Sequence, residues 1–205
     1  MELILGSQSP RRREILEFFS LPFIQATPPF DEEAIPFEGN PQDYVQTLAR
    51  GKAESLVSRF PAATILTADT IVYREGTVYG KPRDRQEAYQ YLQELSGRWH
   101  SVFTGLSLYT TEQSYQSVEE TRVLFHSLNE QQMHAYHAVL EFTDKAGGYM
   151  IQGAGSLIVK RIEGCYYNVA GLPLNALATL LLRANIDLWH HLKRDNGRWI
   201  SSNQV

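Results

Sequence analysis

A chain of 205 residues suits one domain, which at this length buries roughly 70% of its unfolded surface and needs neither disulfide nor structural metal to fold. Hydrophobic residues make up 43% and charged residues 20%, and the net charge of −4 argues against general affinity for nucleic-acid polymers. A small phosphorylated ligand stays open, because a few clustered cations focus a local positive field.

Cys165 is the only cysteine, so no intrachain disulfide forms and a reducing, cytoplasmic setting is expected, with Cys165 itself a small half-buried side chain. Met1 to Leu5 lacks the pattern of a signal peptide, and no apolar run approaches the roughly 20 residues of a membrane span. The expectation is a soluble protein without a membrane partner.

Leu3 to Leu5, closed by Gly6, reads as a buried first strand. Ser9 offers an N-cap hydroxyl and Pro10 suits the first helical position. They predict a helix with Ile15, Leu16, Phe18 and Phe19 on its apolar face. A second helix is predicted from Asn40-Pro41, where Val45, Leu48, Ala49, Lys52, Ala53 and Leu56 recur at spacings of three and four. Ile65 to Tyr73 reads as a buried strand, turned by Arg74-Glu75-Gly76-Thr77 into a short partner.

Asp84 with Glu87 forms a capping-box pattern before Ala88, Tyr91, Leu92 and Leu95, and Gly97 ends that helix. Val102 to Tyr109 and Val118 to Phe125 read as strands. Ser127 with Glu130 suggests another box before a helix to about Val139. Leu157 to Ile162 and Tyr166 to Val169 read as strands, and Pro173 to Ala184 as an apolar helix. No pattern follows Asp187. Short βα connections mixed with hairpins predict an α/β fold with a mixed sheet.

Four stretches carry chemistry. Ser7-Gln8-Ser9-Pro10-Arg11-Arg12 joins a strand end to a helix start, where backbone N–H groups, two hydroxyls and two arginines favour an anion such as a triphosphate. The plainer reading is a capped helix with solvated arginines. Asp69, within Ala68-Asp69-Thr70, is a carboxylate in an apolar strand, which calls for a salt bridge, a metal or a catalytic role. Lys81 in Gly80-Lys81-Pro82 is placed to reach a phosphate oxygen, or is simply solvated. Asp144 to Gly153 surrounds Gln152 with glycines, as a turn-rich loop or as a wall that lets backbone approach a ligand.

In combination these stretches resemble the Maf family of nucleotide pyrophosphatases, from about Leu3 to Ala184. The resemblance rests on Ser-x-Ser-Pro-Arg-Arg at Ser7 to Arg12, Ala-Asp-Thr at Ala68 to Thr70 and Gly-Lys-Pro at Gly80 to Pro82. It continues with Ser-Gly-x-x-His-x-Val-x-Thr at Ser96 to Thr104, Asp-Lys-Ala-Gly-x-Tyr-x-Ile-Gln-Gly at Asp144 to Gly153 and Tyr-x-Asn-Val-x-Gly-Leu-Pro at Tyr166 to Pro173. Each motif is weak alone; six in order are specific.

The resemblance implies an elongated, two-lobed α/β fold, similar to inosine triphosphate pyrophosphatases, with a curved mixed sheet and a central cleft. Residues 1–188 would form this domain and 189–205 a tail of unassigned role. It implies hydrolysis between the α and β phosphates with Mg²⁺ or Mn²⁺. Asp69 would be the general base or a metal ligand, and Glu32, within Asp31-Glu32-Glu33, a second carboxylate for the metal. Ser7, Arg11, Arg12, Lys52 and Lys81 would neutralise the triphosphate.

Arg12, Thr70 and Gln152 resemble the branch acting on dTTP and UTP, modified pyrimidine nucleotides included. The branch that takes 7-methyl-GTP typically carries Glu where Gln152 stands. An amide pairs with the N3–H and a carbonyl of uracil or thymine, whereas a carboxylate suits a guanine edge. Gly6, Cys165 and Ala170 depart from the usual alanine, serine and valine. His100 is expected to make a structural hydrogen bond and His190-His191 to lie on the surface. The alternatives are a nucleotide-binding regulator of cell division and septum formation, which has no need of a base beside a metal, and a purine triphosphate pyrophosphatase. A homodimer is compatible with every reading.

Overall fold

The computed structural model describes residues 2–139 and 141–193. In chain order the first half comprises β1 (Leu3–Gly6), α1 (Pro10–Leu16), β2 (Ile24–Ala26), α2 (Pro41–Val57), β3 (Thr64–Arg74) and β4 (Thr77–Tyr79). The second half adds α3 (Arg85–Leu95), β5 (Trp99–Tyr109), β6 (Ser114–Phe125), α4 (Glu130–Val139), β7 (Val159–Glu163), α5 (Tyr166–Val169) and α6 (Leu174–Leu182). Short 3₁₀ segments occupy Ala146–Gly148, Gly153–Ile158 and Leu188–His191. The expected α/β class with a mixed sheet is what the chain forms. Among the described residues no helix is long and apolar enough to cross a membrane.

All the strands form one sheet in the order β2-β1-β3-β5-β6-β7, with β4 also pairing β3. β1 runs parallel to β3 from Leu3 opposite Thr64 to Gly6 opposite Thr67. β4 joins the same edge of β3 antiparallel, from Val72 opposite Tyr79. Between them, among the described residues, Ala68 to Ile71 have no strand beside them on that edge, while β5 pairs the other edge from Ile65 to Tyr73.

Strand alternation sorts β3 between two faces. Ile65, Thr67, Asp69 and Ile71 face α2, where Ile65 packs with Ala53 and Leu56, and Ile71 with Val45. Thr67 Oγ1 donates to Ala49 O at 2.6 Å, tying strand to helix. α2 is nucleated by Asn40, whose side chain accepts from the N–H groups of Gln42 and Asp43, and by Pro41 at its first turn. Burying Val45, Leu48 and Leu56 contributes about 2 kcal/mol each. Gly105 of β5 makes this seating close, since a Cβ there would lie 2.4 Å from Val45 O.

The opposite face carries two apolar clusters. Leu5, Ile15, Leu66, Leu106, Leu177 and Leu181 join α1 and α6 to the sheet. Val72, Leu92, Leu95, Val123, Phe125 and Tyr149 form the second under α3 and α4. Residues from both border the site described below.

Several elements differ from expectation. α1 stops at Leu16, leaving Phe18 outside the helix and 47% exposed. Before α4 the reciprocal cap is made by Asn129 and Gln132, each side chain bonding the other's N–H at 2.9 Å, and not by Ser127 and Glu130. Asp84 caps Glu87 N as predicted, but the Glu87 carboxylate returns to Arg83 N. Leu157 and Ile158 belong to a 3₁₀ turn.

Tyr166 to Val169 is a helical turn and not a strand. Its Asn168 is fully buried and its amide donates to Val102 O, Glu119 O and Thr121 Oγ1, so tertiary bonds override the strand propensity of Tyr and Val. Of the expected tail, Trp189 to Lys193 are described, with His190 exposed and His191 half-buried. Residues 194–205 lie outside the described part.

Candidate active site

A cleft of about 870 Å³ opens along the unpaired stretch of β3. Ser7, Arg11, Arg12, Glu32, Lys52, Asp69, Thr70, Lys81 and Gln152 all line it. A smaller pocket of about 380 Å³ beside Phe19, Leu21 and Phe23 contains none of them.

On the α2 side, Lys52 is buried at the point where α2 crosses β3. Its ammonium donates to Asp69 Oδ1 and lies 2.9 Å from Glu32 Oε1. Two carboxylates 37 positions apart in the chain (69 minus 32) therefore share one buried cation. Of the acidic trio it is Glu32 that reaches Lys52, while Asp31 caps the N–H of Glu33 at 3.1 Å. Burial pushes the Glu32 carboxyl up, but Lys52, then Lys81 and Arg12, outweigh it and hold the group below the usual carboxylate range. Burial also raises the phenol of nearby Tyr44, with Asp69 and Glu32 adding to the effect.

Gly51 accounts for the placing of the Glu32 loop. A Cβ at that helix position would sit 2.4 Å from Phe30 Cε2, so the absent side chain lets Phe30 lie against α2. A glycine inside a helical pattern is the one sequence signal for this contact.

On the other side of β3, Arg12 donates from Nε to Gly171 O at 2.8 Å, from Nη1 to Ser7 Oγ at 3.3 Å and from Nη2 to Thr70 Oγ1 at 2.9 Å. These fix the plane of the guanidinium. Burial lowers its pKa, opposed by Asp69, and the group stays charged. Gly171 has φ +105°, and the left-handed conformation it adopts at low cost places that carbonyl toward Arg12. Ser9 caps α1 as predicted, accepting from Arg12 N at 3.4 Å.

Arg11 points elsewhere: Nη1 bonds Asp144 Oδ2 at 2.9 Å and Nη2 bonds Asp144 O at 3.1 Å. The Lys145 ammonium also bonds Asp144. Burial raises the Asp144 carboxyl, but Lys145 and Arg11 bring it below the usual range. Asp144 was legible as part of a motif, but its partner in α1 was not. Gly147, at φ +70°, donates to Gly80 O at 2.9 Å and ties this loop to the one bearing Lys81. Lys81 is exposed and Gln152 half-buried.

Among the described residues no group of three or more His, Cys, Asp and Glu gathers as an all-protein metal cage. Glu32 and Asp69 instead offer two hard oxygen donors converging at the cleft. That donor chemistry fits a hard divalent cation such as Mg²⁺ or Mn²⁺.

The profile of the family described as Maf-like protein matches residues 2–184. A dTTP/UTP pyrophosphatase of Chlamydia caviae is 45% identical over 192 residues, covering 93% of this chain and 98% of its own. Another of that name from Latilactobacillus sakei is 45% identical over 178 residues, 87% of this chain and 98% of its own. The Staphylococcus aureus Ham1 protein superposes with a TM-score of 0.45 at 12% identity, over 62% of this chain and 73% of that one. With its profile matched across nearly the whole chain, this protein belongs to the Maf family.

Proposed function

We propose that the chain hydrolyses dTTP and UTP to the monophosphate and pyrophosphate, with Mg²⁺ or Mn²⁺ as cofactor. The observation that carries this reading is the buried Lys52 held between Glu32 and Asp69, in one cleft with Arg12 and Gln152. A protein that only bound nucleotides, to regulate septum formation for instance, would have no use for that carboxylate pair. The names of the two relatives agree with a pyrimidine substrate.

In this reading the triphosphate lies along the gap in β3, with Arg12, Arg11, Lys81 and Lys52 neutralising its charge and Ser7 donating to a phosphate oxygen. Lys52 exchanges Asp69 for the incoming phosphate, which leaves the Asp69 carboxylate able to accept a proton. Asp69 takes that proton as a water oxygen bonds to the α phosphorus. The bond from that phosphorus to the bridging oxygen breaks, and pyrophosphate leaves with the electron pair. Glu32 and Asp69 would hold the metal, which supplies Lewis-acid stabilisation of phosphate charge. Gln152 pairs with the N3–H and a carbonyl of the base.

This work belongs in the cytoplasm, where such nucleotides are made. The test is product analysis with UTP, dTTP, GTP and 7-methyl-GTP in Mg²⁺ or Mn²⁺. Pyrophosphate with UMP or dTMP is the expected outcome. Orthophosphate with a diphosphate, or preferred turnover of the purines, would overturn it.

A further inference from the structure

Thr104 is a fully buried hydroxyl in the middle of β5, opposite Thr70 in the ladder. A buried hydroxyl costs stability unless bonded, and valine would fill the same volume without that cost. The partners of this one form a chain. Thr70 Oγ1 receives Arg12 Nη2 at 2.9 Å, Thr70 Oγ1 and Thr104 Oγ1 are 2.9 Å apart, and Thr104 Oγ1 lies 3.4 Å from Asn168 O.

The two ends fix what the middle can do. A guanidinium only donates and a carbonyl only accepts. Between them, the hydrogen atoms have two arrangements. In one, Arg12 donates to Thr70, Thr70 to Thr104, and Thr104 to the carbonyl of Asn168. In the other, Thr104 turns its hydrogen to Thr70, and the Thr70 hydrogen is released into the cleft that Thr70 lines. The second arrangement gives up only the 3.4 Å bond, the longest of the chain.

The acceptor is well anchored. The Asn168 side chain is held by Val102 O at 2.9 Å and Thr121 Oγ1 at 3.0 Å, and its carbonyl also receives Gly171 N at 2.9 Å. Gly171 O in turn holds Arg12 Nε. Three of the five guanidinium N–H groups are thus committed, and among the described residues one remains on each terminal nitrogen, as bidentate binding of an anionic oxygen pair requires.

Building on the nucleotide reading above, we propose that Thr104 is a positioning residue. Its hydroxyl holds Thr70 Oγ1 in place in both arrangements, accepting from it when the cleft is empty and donating to it when Thr70 turns its own hydrogen to the bound pyrimidine nucleotide, while Arg12 keeps its orientation.

The experiment is a double-mutant cycle with UTP and Mg²⁺. Thr104→Val should raise KM about tenfold with kcat within about threefold, the scale of one hydrogen bond to a ligand. Thr104→Ser, which keeps the hydroxyl, should stay within about threefold of wild type on both constants. In a Thr70→Val background the Thr104→Val effect should vanish, because the hydroxyl then has nothing to relay to. Ser107→Ala removes another fully buried β5 hydroxyl, one without a hydrogen-bond partner among the described residues, and should leave KM unchanged.

If valine is not tolerated on folding, Thr104→Ala serves in the same cycle. Additive effects of the Thr70 and Thr104 variants, or a serine variant as impaired as the valine one, would overturn the proposal. Failure of the nucleotide reading itself shows differently, as wild-type protein that releases no pyrophosphate.

Discussion

The ammonium of Lys52 lies 2.9 Å from Glu32 and bonds Asp69 as well, so one buried cation neutralises two carboxylates from distant parts of the chain. Lys52→Met would leave both without it. Breaking such a buried pair costs about 3 kcal/mol, chiefly from the stranded Asp69. The destabilisation should be large in urea unfolding and smaller when Asp69→Asn is added, since the amide needs no counter-charge. An equal penalty in both backgrounds would show that the lysine acts through packing of its stem alone.

Asp69→Asn keeps the shape of β3 and leaves Lys52 paired with Glu32, so the variant should fold. Loss of a general base should lower turnover roughly 10²–10⁴-fold. A metal-ligand role would show as a higher Mn²⁺ concentration for half-maximal activity, a base role as slow turnover even at saturating metal. Near-normal turnover in folded protein rules out both and moves the chemistry to Glu32.

Gln152→Glu replaces an amide donor in the cleft with a charge facing a base carbonyl. Pyrimidine turnover should weaken by roughly 1–3 kcal/mol in kcat/KM. Unchanged UTP-to-GTP ratios would remove Gln152 from contact with the base.

These predictions rest on residues visible in the sequence, but their partnerships were not. The helix carrying Lys52 and the strand carrying Asp69 followed from apolar spacing, and the motif order placed Gln152. That Arg11 would hold Asp144, and Thr104 would stand behind Thr70, depends on contacts between segments 133 and 34 residues apart, which leave no local periodicity. β2 was missed because it has three residues, one of them exposed, and shows no alternation to detect. Tyr166 to Val169 was misread because propensity was weighed without the buried amide of Asn168.

His100 packs against Phe125 and Tyr149, with Nε2 3.0 Å from Tyr149 Oη, the structural hydrogen bond expected of it. Burial lowers its pKa from 6.5 to about 4. As pH falls the unfolded chain takes the proton first, so stability is lost from about pH 6.5 down to about pH 4 and levels off below. Between pH 7 and 5 the loss from this group is about 2 kcal/mol. His137, also lowered by burial, adds to it. His100→Gln should flatten the slope of unfolding free energy against pH; an unchanged slope would acquit His100.

Gly6 ends β1 where that strand packs against Thr67 of β3 and Leu56 of α2. Here a Cβ would lie 2.6 Å from Thr67 Cγ2 and 2.7 Å from Leu56 Cδ1. Gly6→Ala should therefore destabilise by about 1–3 kcal/mol. Adding Thr67→Ser, which removes that methyl but keeps the hydroxyl bonded to Ala49 O, should recover part of the loss. Simple additivity of the two changes in thermal unfolding would contradict this.

The stretch of β3 between the last rung shared with β1 and the first shared with β4 is four residues, Ala68 to Ile71, or roughly 13 Å of strand. The aperture is thus measured in backbone units. Its length is set by where two neighbouring strands stop, and it changes in steps of roughly 3.3 Å as either is lengthened or trimmed. One further pair in the β3–β4 hairpin, Ile71 with Gly80, would narrow it by such a step. In this protein the ends of two neighbouring strands, and no side chain, set the length of that opening.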